Sequence, residues 1–365
     1  MDFNFIKETF NRIPAFGLDF SDQSIKIAQF QKQGGKLRLK SYNKREIPEK
    51  IVAGGEIKNT EALIGEIKET ILAAKPRPTA GREVVLSLPE SKCFIRVIKI
   101  TPKINEENAE EMIRAKAEEH FPLSSEEMYL DWHILDTQEC PINGKESCTD
   151  VFVAATPKIL ADSYLEIMDR CGLIPVALEA ESVATVRGLF KNQEDPQAVL
   201  IIDLGRDRTS FIFYKHPFLR FTQSIPISGE GFSIALSKGF GVGIKKAEKL
   251  KREIGILKQS EEGKKIFKLL EPQLSELVLK IKSSISYYNS YFGISPRSDF
   301  KIIICGGGAN LMGMGSYLSL LLRKTVEVAN PWEGIYNIGA GEIPPISRSE
   351  SLFYTTALGL ALYNT

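Results

Sequence analysis

Residues 17–26 read Gly-Leu-Asp-Phe-Ser-Asp-Gln-Ser-Ile-Lys, and residues 202–209 read Ile-Asp-Leu-Gly-Arg-Asp-Arg-Thr. In each stretch an apolar strand ends in an aspartate, and a tight polar turn and a second alternating strand follow. Small residues in such a turn let backbone N–H groups approach a phosphate closely, and the aspartate is placed to hold a metal ion beside it. Two facing copies would clamp a nucleotide from both sides, with Asp19 and Asp203 next to the metal.

A third stretch, late in the chain, predicts the same kind of site. Lys-Ile-Ile-Ile-Cys at 301–305 is typical of a buried strand, glycines at 306–308 form a turn with Ala309 and Asn310, and an apolar helix pattern runs to Leu322. Nucleotide sites reuse this order of strand, glycine turn and helix. A glycine-rich turn alone is more often only a turn, so the prediction depends on the order and separation of all three stretches.

Between the two turns the chain changes character. A helical pattern that begins at Thr60 ends in the Pro-rich linker of residues 75–81, and the following residues predict a compact α/β unit of strands around one charged helix. A polar stretch at residues 191–197 then separates the two halves. We therefore predict a first half made of residues 1–81 and 157–192, an insertion at 82–156, and a second half at 193–365 with a helical part at about 230–295.

This order of motifs resembles the actin-like ATPase superfamily, which includes sugar kinases, heat-shock ATPase chaperones and the cell-division protein FtsA. The resemblance implies an α/β fold of two related halves around a nucleotide cleft that binds ATP with Mg²⁺. The stretch from Glu179 to Leu189 is similar to the superfamily's first connecting helix, which implies that Glu179 positions the attacking water. Residues 247–252 are similar to the helix that brackets adenine and ribose, although a basic helix of this kind is by default a solvated surface.

The resemblance implies a full set of nucleotide contacts. The residues are Asp19, Ser21, Lys26, Asp203, Gly205, Thr209, Glu248, Lys251, Gly306, Gly307, Gly308 and Asn310, with Asp19 and Asp203 as the metal ligands and Glu179 as the catalytic residue. It leaves ATP hydrolysis open, with a weak ATPase as the enzymatic alternative.

Within the superfamily the chain resembles the PilM family of type IV pilus assembly proteins. The resemblance is carried by Glu-Glu-His-Phe-Pro-Leu at 118–123, Leu-Asp-Trp-His-Ile-Leu at 130–135 and Val-Glu-Val-Ala-Asn-Pro-Trp at 326–332, and it extends from about Pro14 to Leu362. It implies that the insertion is the subdomain that FtsA and PilM carry in the first half. It also implies a cytoplasmic scaffold at the inner face of the cytoplasmic membrane, in pilus or related type II secretion assembly. The implied partner is the N-terminal cytoplasmic peptide of a PilN-like inner-membrane protein, held in a groove at the insertion. Other pilus assembly components are further implied partners.

The first turn departs from the superfamily pattern, which has glycine two residues after the aspartate. Here Ser21 takes that position and Asp22 follows, so a side chain crowds the phosphate and a like charge is added. The second turn keeps Gly205, but residues 206–208 are the bulky Arg-Asp-Arg. Lys26, on the strand after the first turn, either reaches the phosphate or faces solvent.

The composition excludes some classes of protein. The chain has 365 residues, of which 43% are hydrophobic and 25% charged, and a net charge of +1, which is typical of a globular protein and gives no general attraction to nucleic acid or anionic lipid. Five scattered cysteines favour reduced thiols in a cytosol, with a disulfide or half of a metal site at Cys140 and Cys148 as the alternative. The N-terminus lacks the pattern of a signal peptide. The uncharged run from Ile302 to Leu322 has the length of a membrane span, but its glycines favour a strand, a loop and a buried helix.

Two other functions fit the same fold. A small-molecule kinase needs a catalytic base poised on a substrate hydroxyl, and no second Asp-rich motif lies between the two turns. An FtsA-like division protein needs an amphipathic basic helix at its C-terminus as a membrane tether, and Ala-Leu-Tyr-Asn-Thr at 361–365 leaves no room for one. A nucleotide-responsive scaffold is therefore the preferred interpretation.

Overall fold

The computed structural model describes residues 14–101, 104, 108–139, 147–190, 197–257, 259–295, 300–363 and 365. Two large β-sheets organise these residues, and the cleft between them is lined from both sides. Cys140, one member of the cysteine pair considered above, lies outside the described residues.

The first sheet belongs to the first half of the chain. Its strands are β1 (Phe16–Phe20), β2 (Ser24–Gln33), β3 (Lys36–Glu46), β6 (Glu83–Leu88) and β10 (Ile174–Ala180), and a short separate ribbon contains β4 (Val52–Ala53) and β5 (Glu56–Ile57). The strand order is β10-β6-β1-β2-β3, with β1 antiparallel to β2 and parallel to β6. Every residue of β1 is buried, as expected for a central strand that is covered on both faces.

The second sheet has eight strands. They are β7 (Phe94–Ile100), β8 (Met128–Glu139), β9 (Ser147–Pro157), β11 (Val199–Leu204), β12 (Thr209–Lys215), β13 (Phe218–Ile225), β14 (Lys301–Cys305) and β15 (Val326–Val328). Their order is β15-β14-β11-β12-β13-β7-β9-β8. The hairpin of β11 and β12 repeats that of β1 and β2, so the two quoted stretches occupy equivalent positions in the two sheets.

The inserted unit shares this second sheet. Its three strands β7, β9 and β8 join the second half where Phe221 on β13 pairs with Arg96 on β7. The Arg96 guanidinium lies over the rings of Phe221, Tyr287 and Tyr291, 5.5 to 5.9 Å from their centroids, an arrangement that attracts a cation to the aromatic faces. The inserted unit is therefore continuous in sequence with the first half and in hydrogen bonding with the second.

One boundary differs from the sequence-based prediction. Strand β6 was predicted to open the insertion at residues 82–156, but it lies between β1 and β10 in the first sheet. The insertion therefore starts after Leu88 and contains β7, β8, β9 and the helix between them. That helix buries Ala109, Ile113 and Ala117 in the unit's own core, so its charged face points outward.

Helices connect the strands. They are α1 (Thr60–Leu72), α2 (Ala109–Glu118), α3 (Lys158–Cys171), α4 (Glu181–Leu189), α5 (Gly229–Phe240), α6 (Ile244–Glu253), α7 (Glu261–Phe292), α8 (Met314–Leu322), α9 (Arg348–Ser351) and α10 (Thr355–Ala361). Short 3₁₀ turns lie at Glu90–Lys92, Gly307–Asn310, Ile338–Ala340 and Leu352–Tyr354. The uncharged run after Ile302 forms a strand, a glycine turn and helix α8. Within the described residues, no helix combines the length and apolar character that a membrane span requires.

The two connecting helices α4 and α10 cross where the halves meet. A Cβ atom at Gly359 would lie 1.8 Å from the carbonyl oxygen of Ala184, and one at Gly188 would lie 2.7 Å from that of Thr355. At Gly17 on β1 a Cβ would lie 2.3 Å from the carbonyl oxygen of Ala357. Backbone therefore packs directly on backbone at this crossing, and it does so because the residues there are glycines.

Candidate functional site

A cavity of about 740 Å³ lies between the two sheets and is lined by both quoted turns. The structure brings most of the predicted residues to it. These are Asp19, Ser21, Lys26, Asp203, Gly205, Glu248, Lys251, Gly306, Gly307 and Gly308.

Asp19 is the penultimate residue of β1, and its carboxylate is held from two sides. Its Oδ2 accepts a hydrogen bond from Lys26 Nζ at 2.7 Å, and its Oδ1 accepts one from the Ser87 hydroxyl at 2.9 Å. Although burial works against the charge of Lys26, its pKa lies above the ordinary value because the Asp19 carboxylate is beside it. Lys26 therefore faces the cleft rather than solvent, as one of the two alternatives predicted.

In the first turn, the acidic side chain of Asp22 is bound by the backbone of a neighbouring segment. Ser21 N–H donates to the Ser24 carbonyl at 2.9 Å, which closes the turn. The Asp22 carboxylate accepts hydrogen bonds from the backbone N–H groups of Gly54 and Gly55, at 2.7 and 2.9 Å. Asp22 therefore anchors the ribbon of β4 and β5, and backbone dipoles offset its charge.

Asp203 is the counterpart of Asp19 at the end of β11. Burial, partly opposed by Lys26, raises the pKa of Asp203 to about 6. The glycine turn after β14 packs directly on this carboxylate, because a Cβ at Gly306 would lie 2.2 Å from Asp203 Oδ1. Gly306 also has a φ of 75°, which favours glycine. The glycine turn can therefore contact Asp203 only because Gly306 has no side chain.

Side chains connect the two turns across the cleft. Gln23, in the first turn, donates its side-chain amide to Glu230 at the start of α5, at 2.6 Å. Arg206, in the second turn, lies 3.4 Å from Glu230 and 3.5 Å from Glu46 at the end of β3. Burial and the Asp22 carboxylate raise the pKa of Asp207 to about 6. The bulky second turn thus makes bridges between the halves.

Helix α6 closes the other end of the cavity. Lys251 is 4% exposed, and its Nζ donates to the Gly229 carbonyl at 2.8 Å and to Ser233 Oγ and Glu248 Oε1, both at 2.7 Å. Burial lowers the pKa of Lys251, while Glu248 works in the opposite direction. Lys251 is thus fixed between α5 and α6, and the partly exposed Glu248 lines the cavity from the same helix.

An aromatic ring lies at the mouth of the cavity beside this helix. Phe353 packs against Gly307, where an added Cβ would lie 2.3 Å from the ring. Lys44 from β3 and Arg252 from α6 lie over the ring at 4.6 and 5.0 Å from its centroid. Cations from both halves therefore meet at this ring, which attracts them to its face.

Two of the predicted contacts do not line the cavity. Thr209 is buried, and its hydroxyl donates to the Ile227 carbonyl at 2.7 Å. The Asn310 side-chain amide donates to the Ser349 carbonyl at 2.9 Å. Both side chains fix loops behind the site.

The residue that was predicted to be catalytic, Glu179, lies outside the cavity. Glu179 does not line the cavity, because β10 continues through Ala180 and the Glu179 carboxylate accepts hydrogen bonds from the Arg187 guanidinium at 2.5 and 2.7 Å. Two residues further along the chain, Glu181, the first residue of α4, does line the cavity. Burial and the nearby Asp19 raise the pKa of Glu181 well above its ordinary value. Glu90, which the sequence did not single out, lies beside it.

The donor set can be compared with the needs of Mg²⁺. Among the described residues, no three His, Cys, Asp or Glu side chains are grouped to hold a metal by themselves. Mg²⁺ usually keeps several waters and takes one or two carboxylates together with substrate phosphates. The pair Asp19 and Asp203 fits that requirement, whereas it would not fit a metal held by protein ligands alone.

Comparison with known proteins shows which family and which folds this chain is similar to. The sequence model of the family "Type IV pilus assembly protein PilM" matches residues 17–365. The structure is similar to a PilM–PilN type IV pilus biogenesis complex, with a TM-score of 0.76 and 26% identity over 96% of this chain and 98% of that chain. It is also similar to MreB5 of Spiroplasma citri bound to AMPPNP, with a TM-score of 0.55 and 13% identity over 97% and 96% of the two chains, a likeness of fold alone. The cell division protein FtsA of Borreliella burgdorferi is 22% identical over 355 residues, which cover 86% of this chain and 81% of that protein. The predicted actin-like fold is confirmed.

Proposed function

The chain belongs to the PilM family of type IV pilus assembly proteins, and we propose that it acts there as a nucleotide-responsive scaffold. In this proposal Mg²⁺–ATP occupies the cleft, and a short apolar peptide of a membrane-anchored partner binds at the inserted unit. The partner would be the N-terminal cytoplasmic tail of a PilN-like protein, which would hold the scaffold, itself cytoplasmic, at the inner face of the membrane. One observation carries the nucleotide part: two equivalent turns, each after a strand that ends in aspartate, line one cavity together with Lys26 and the glycine turn.

Each group at the cleft has a role in this proposal. Asp19 and Asp203 would hold the metal ion, whose charge would draw the phosphates between the turns. Lys26 would offset the negative charge, since it already pairs with Asp19 at 2.7 Å. Glu181 replaces Glu179 as the carboxylate that would orient a water if ATP is hydrolysed, because it lies at the cavity with a raised pKa.

Substitution of Ser21 tests whether the first turn limits phosphate binding. We expect Ser21→Gly to raise the affinity for Mg²⁺–ATP by about tenfold, because backbone N–H groups then approach the phosphate without a side chain between them. Calorimetry with ATP and with adenosine distinguishes binding of the phosphates from binding of the nucleoside. Only the affinity for ATP should change in Ser21→Gly. An ATP affinity that stays the same or falls would show that crowding at Ser21 is not the limit.

The partner groove is proposed where the inserted unit meets the first half. Ile159, in the first turn of α3, is 87% exposed, and Tyr129 on β8 is 48% exposed. The two elements are fixed together, because the Tyr129 hydroxyl donates to Asp162 at 3.0 Å and Lys158 N–H donates to the Glu127 carbonyl at 2.9 Å. Exposed apolar side chains beside fixed polar groups suit an extended apolar peptide.

A charge at Ile159 should remove peptide binding. We expect Ile159→Glu to weaken binding of a synthetic PilN-like N-terminal peptide by about tenfold or more, because the new carboxylate would be desolvated beneath the peptide. Ile343→Glu is the matched control, since Ile343 is also 87% exposed but lies elsewhere. Fluorescence anisotropy measures both variants, and equal losses in the two, or none in Ile159→Glu, would refute this location. A point substitution is sharper than deletion of 82–156, which would also remove β6 from the first sheet.

A further inference from the structure

Glu90 and Glu181 hold each other through their backbones. The backbone N–H of Glu90 donates to Glu181 Oε2 at 3.1 Å, and the backbone N–H of Ser182 donates to Glu90 Oε2 at 3.1 Å. Each carboxylate therefore caps the segment that carries the other, in the way that a capping box satisfies the free N–H groups of a helix start. Neither segment can shift without breaking the other's hydrogen bond.

The two members of this pair differ in exposure. Both glutamates line the cavity, but Glu90 is only 5% exposed, whereas Glu181 is partly exposed. The second oxygen of Glu90, Oε1, is buried, and the hydroxyl groups beside this carboxyl are those of Ser182 and Thr222. Burial of a carboxyl group is costly even beside hydroxyl groups, so a structural role alone does not account for a glutamate at this position. Burial raises the pKa of both carboxyl groups.

Glu90 also stands where the insertion begins. It opens the 3₁₀ turn Glu90–Lys92, and β7 follows at Phe94. Phe94 pairs with Ala155 on β9. The next residue of β9, Thr156, pairs with Tyr129 on β8. A displacement at Glu90 is therefore passed through paired strands to the surface that carries Tyr129.

We propose that Glu90 is a positioning residue that fixes the cleft carboxylate Glu181 and, through the start of β7, couples the contents of the cleft to peptide binding at the inserted unit. This rests on the proposed function. Anything that moves the start of α4 must move the first turn of the insertion with it. Because coupling between two binding sites is reciprocal, peptide binding changes nucleotide affinity by the same factor.

The experiment compares peptide affinity with and without Mg²⁺–ATP in the full chain. For the wild type we expect a change within the range of about 5- to 150-fold that is typical of coupled sites. Glu90→Ala should bind both ligands but bring this factor close to one. Glu90→Gln should keep it, because the amide oxygen still accepts from the Ser182 N–H. Lys92→Ala, on the same 3₁₀ turn but outside the cavity lining, is the control and should behave as the wild type, because its exposed ion pair with Glu56 contributes little.

A second measurement needs no ligand. In the nucleotide-free protein, Glu90→Ala should speed amide hydrogen exchange at Ser182 by about tenfold or more, as expected for a lost protecting bond, and Glu90→Gln should not. If the wild type binds no nucleotide, the proposed function fails, and unchanged exchange at Ser182 in Glu90→Ala would overturn the positioning role on its own. Coupling that persists in Glu90→Ala would also overturn it.

Discussion

Replacing Asp203 by asparagine should abolish nucleotide binding and at the same time stabilise the fold. The carboxylate is the proposed metal ligand on the second half, so its loss should lower Mg²⁺–ATP affinity by about 100-fold or more, equivalent to about 2.7 kcal/mol. Its pKa in the folded protein is about 6 because burial disfavours the charge. At pH 7 Asp203 is therefore charged in the folded protein, where its carboxylate is less well solvated than in the unfolded chain. Asparagine is neutral, so the variant does not have this desolvation cost.

The size and pH dependence of the stabilisation follow from the same pKa. A rise of about two pKa units corresponds to at most about 3 kcal/mol, and because Asp203 keeps some contact with cleft water we expect about 1 to 2 kcal/mol. The folded pKa lies above the unfolded one, so the folded state binds the extra proton between about pH 4 and pH 6. The wild type should lose stability as pH rises through that window, and Asp203→Asn should lose less.

Urea unfolding at pH 4, 5, 6 and 7 measures this difference, and calorimetry measures binding. Asp131→Asn is the control, since Asp131 is an exposed carboxylate on β8 and should change neither quantity. Nucleotide affinity that survives in a folded Asp203→Asn would remove Asp203 from the site. A variant that loses both binding and stability would show that the carboxylate supports the fold instead.

Replacing Gly359 by alanine should destabilise the protein more than any other change proposed here. The added Cβ would lie 1.8 Å from the carbonyl oxygen and 2.5 Å from the carbonyl carbon of Ala184, and both are backbone atoms of α4. The two helices would have to separate, and overpacking of a core typically costs about 1 to 3 kcal/mol even where side chains can adjust. Because backbone cannot adjust in that way, we expect about 3 kcal/mol or more.

Gly65→Ala is the matched control for this substitution. Gly65 lies inside helix α1, and a Cβ there would meet no atom within 4 Å. The same chemical change should therefore stabilise the protein by up to about 1 kcal/mol, the helix propensity difference between glycine and alanine. Urea unfolding of both variants gives the comparison. Equal effects in the two would mean that α4 and α10 do not pack as closely as described.

The sequence predicted the local features of the site because short patterns determine them. Apolar runs ending in aspartate became β1 and β11, and the strand and glycine turn after Lys301 formed as expected. The glycines at 306 and 308 were recognised from the same pattern. The actin-like fold then followed from the order of these pieces.

Features that depend on distant contacts were not predictable in this way. Strand β6 has the same alternation whether it pairs within the insertion or with β1, and only the folded chain decides. The sequence predicted a helical part at about 230–295, but not that one helix, α7, would run from Glu261 after a Ser260 cap and continue through Pro272. Glu179 and Glu181 are two residues apart, and the choice between them depends on where β10 ends.

The pair Phe221 and Arg96 restricts how the cleft can open. The halves are joined at the crossing of α4 and α10, and they are joined again where β13 meets β7 through the inserted unit. A motion of the halves that separates β13 from β7 must therefore first pull Arg96 away from Phe221, Tyr287 and Tyr291.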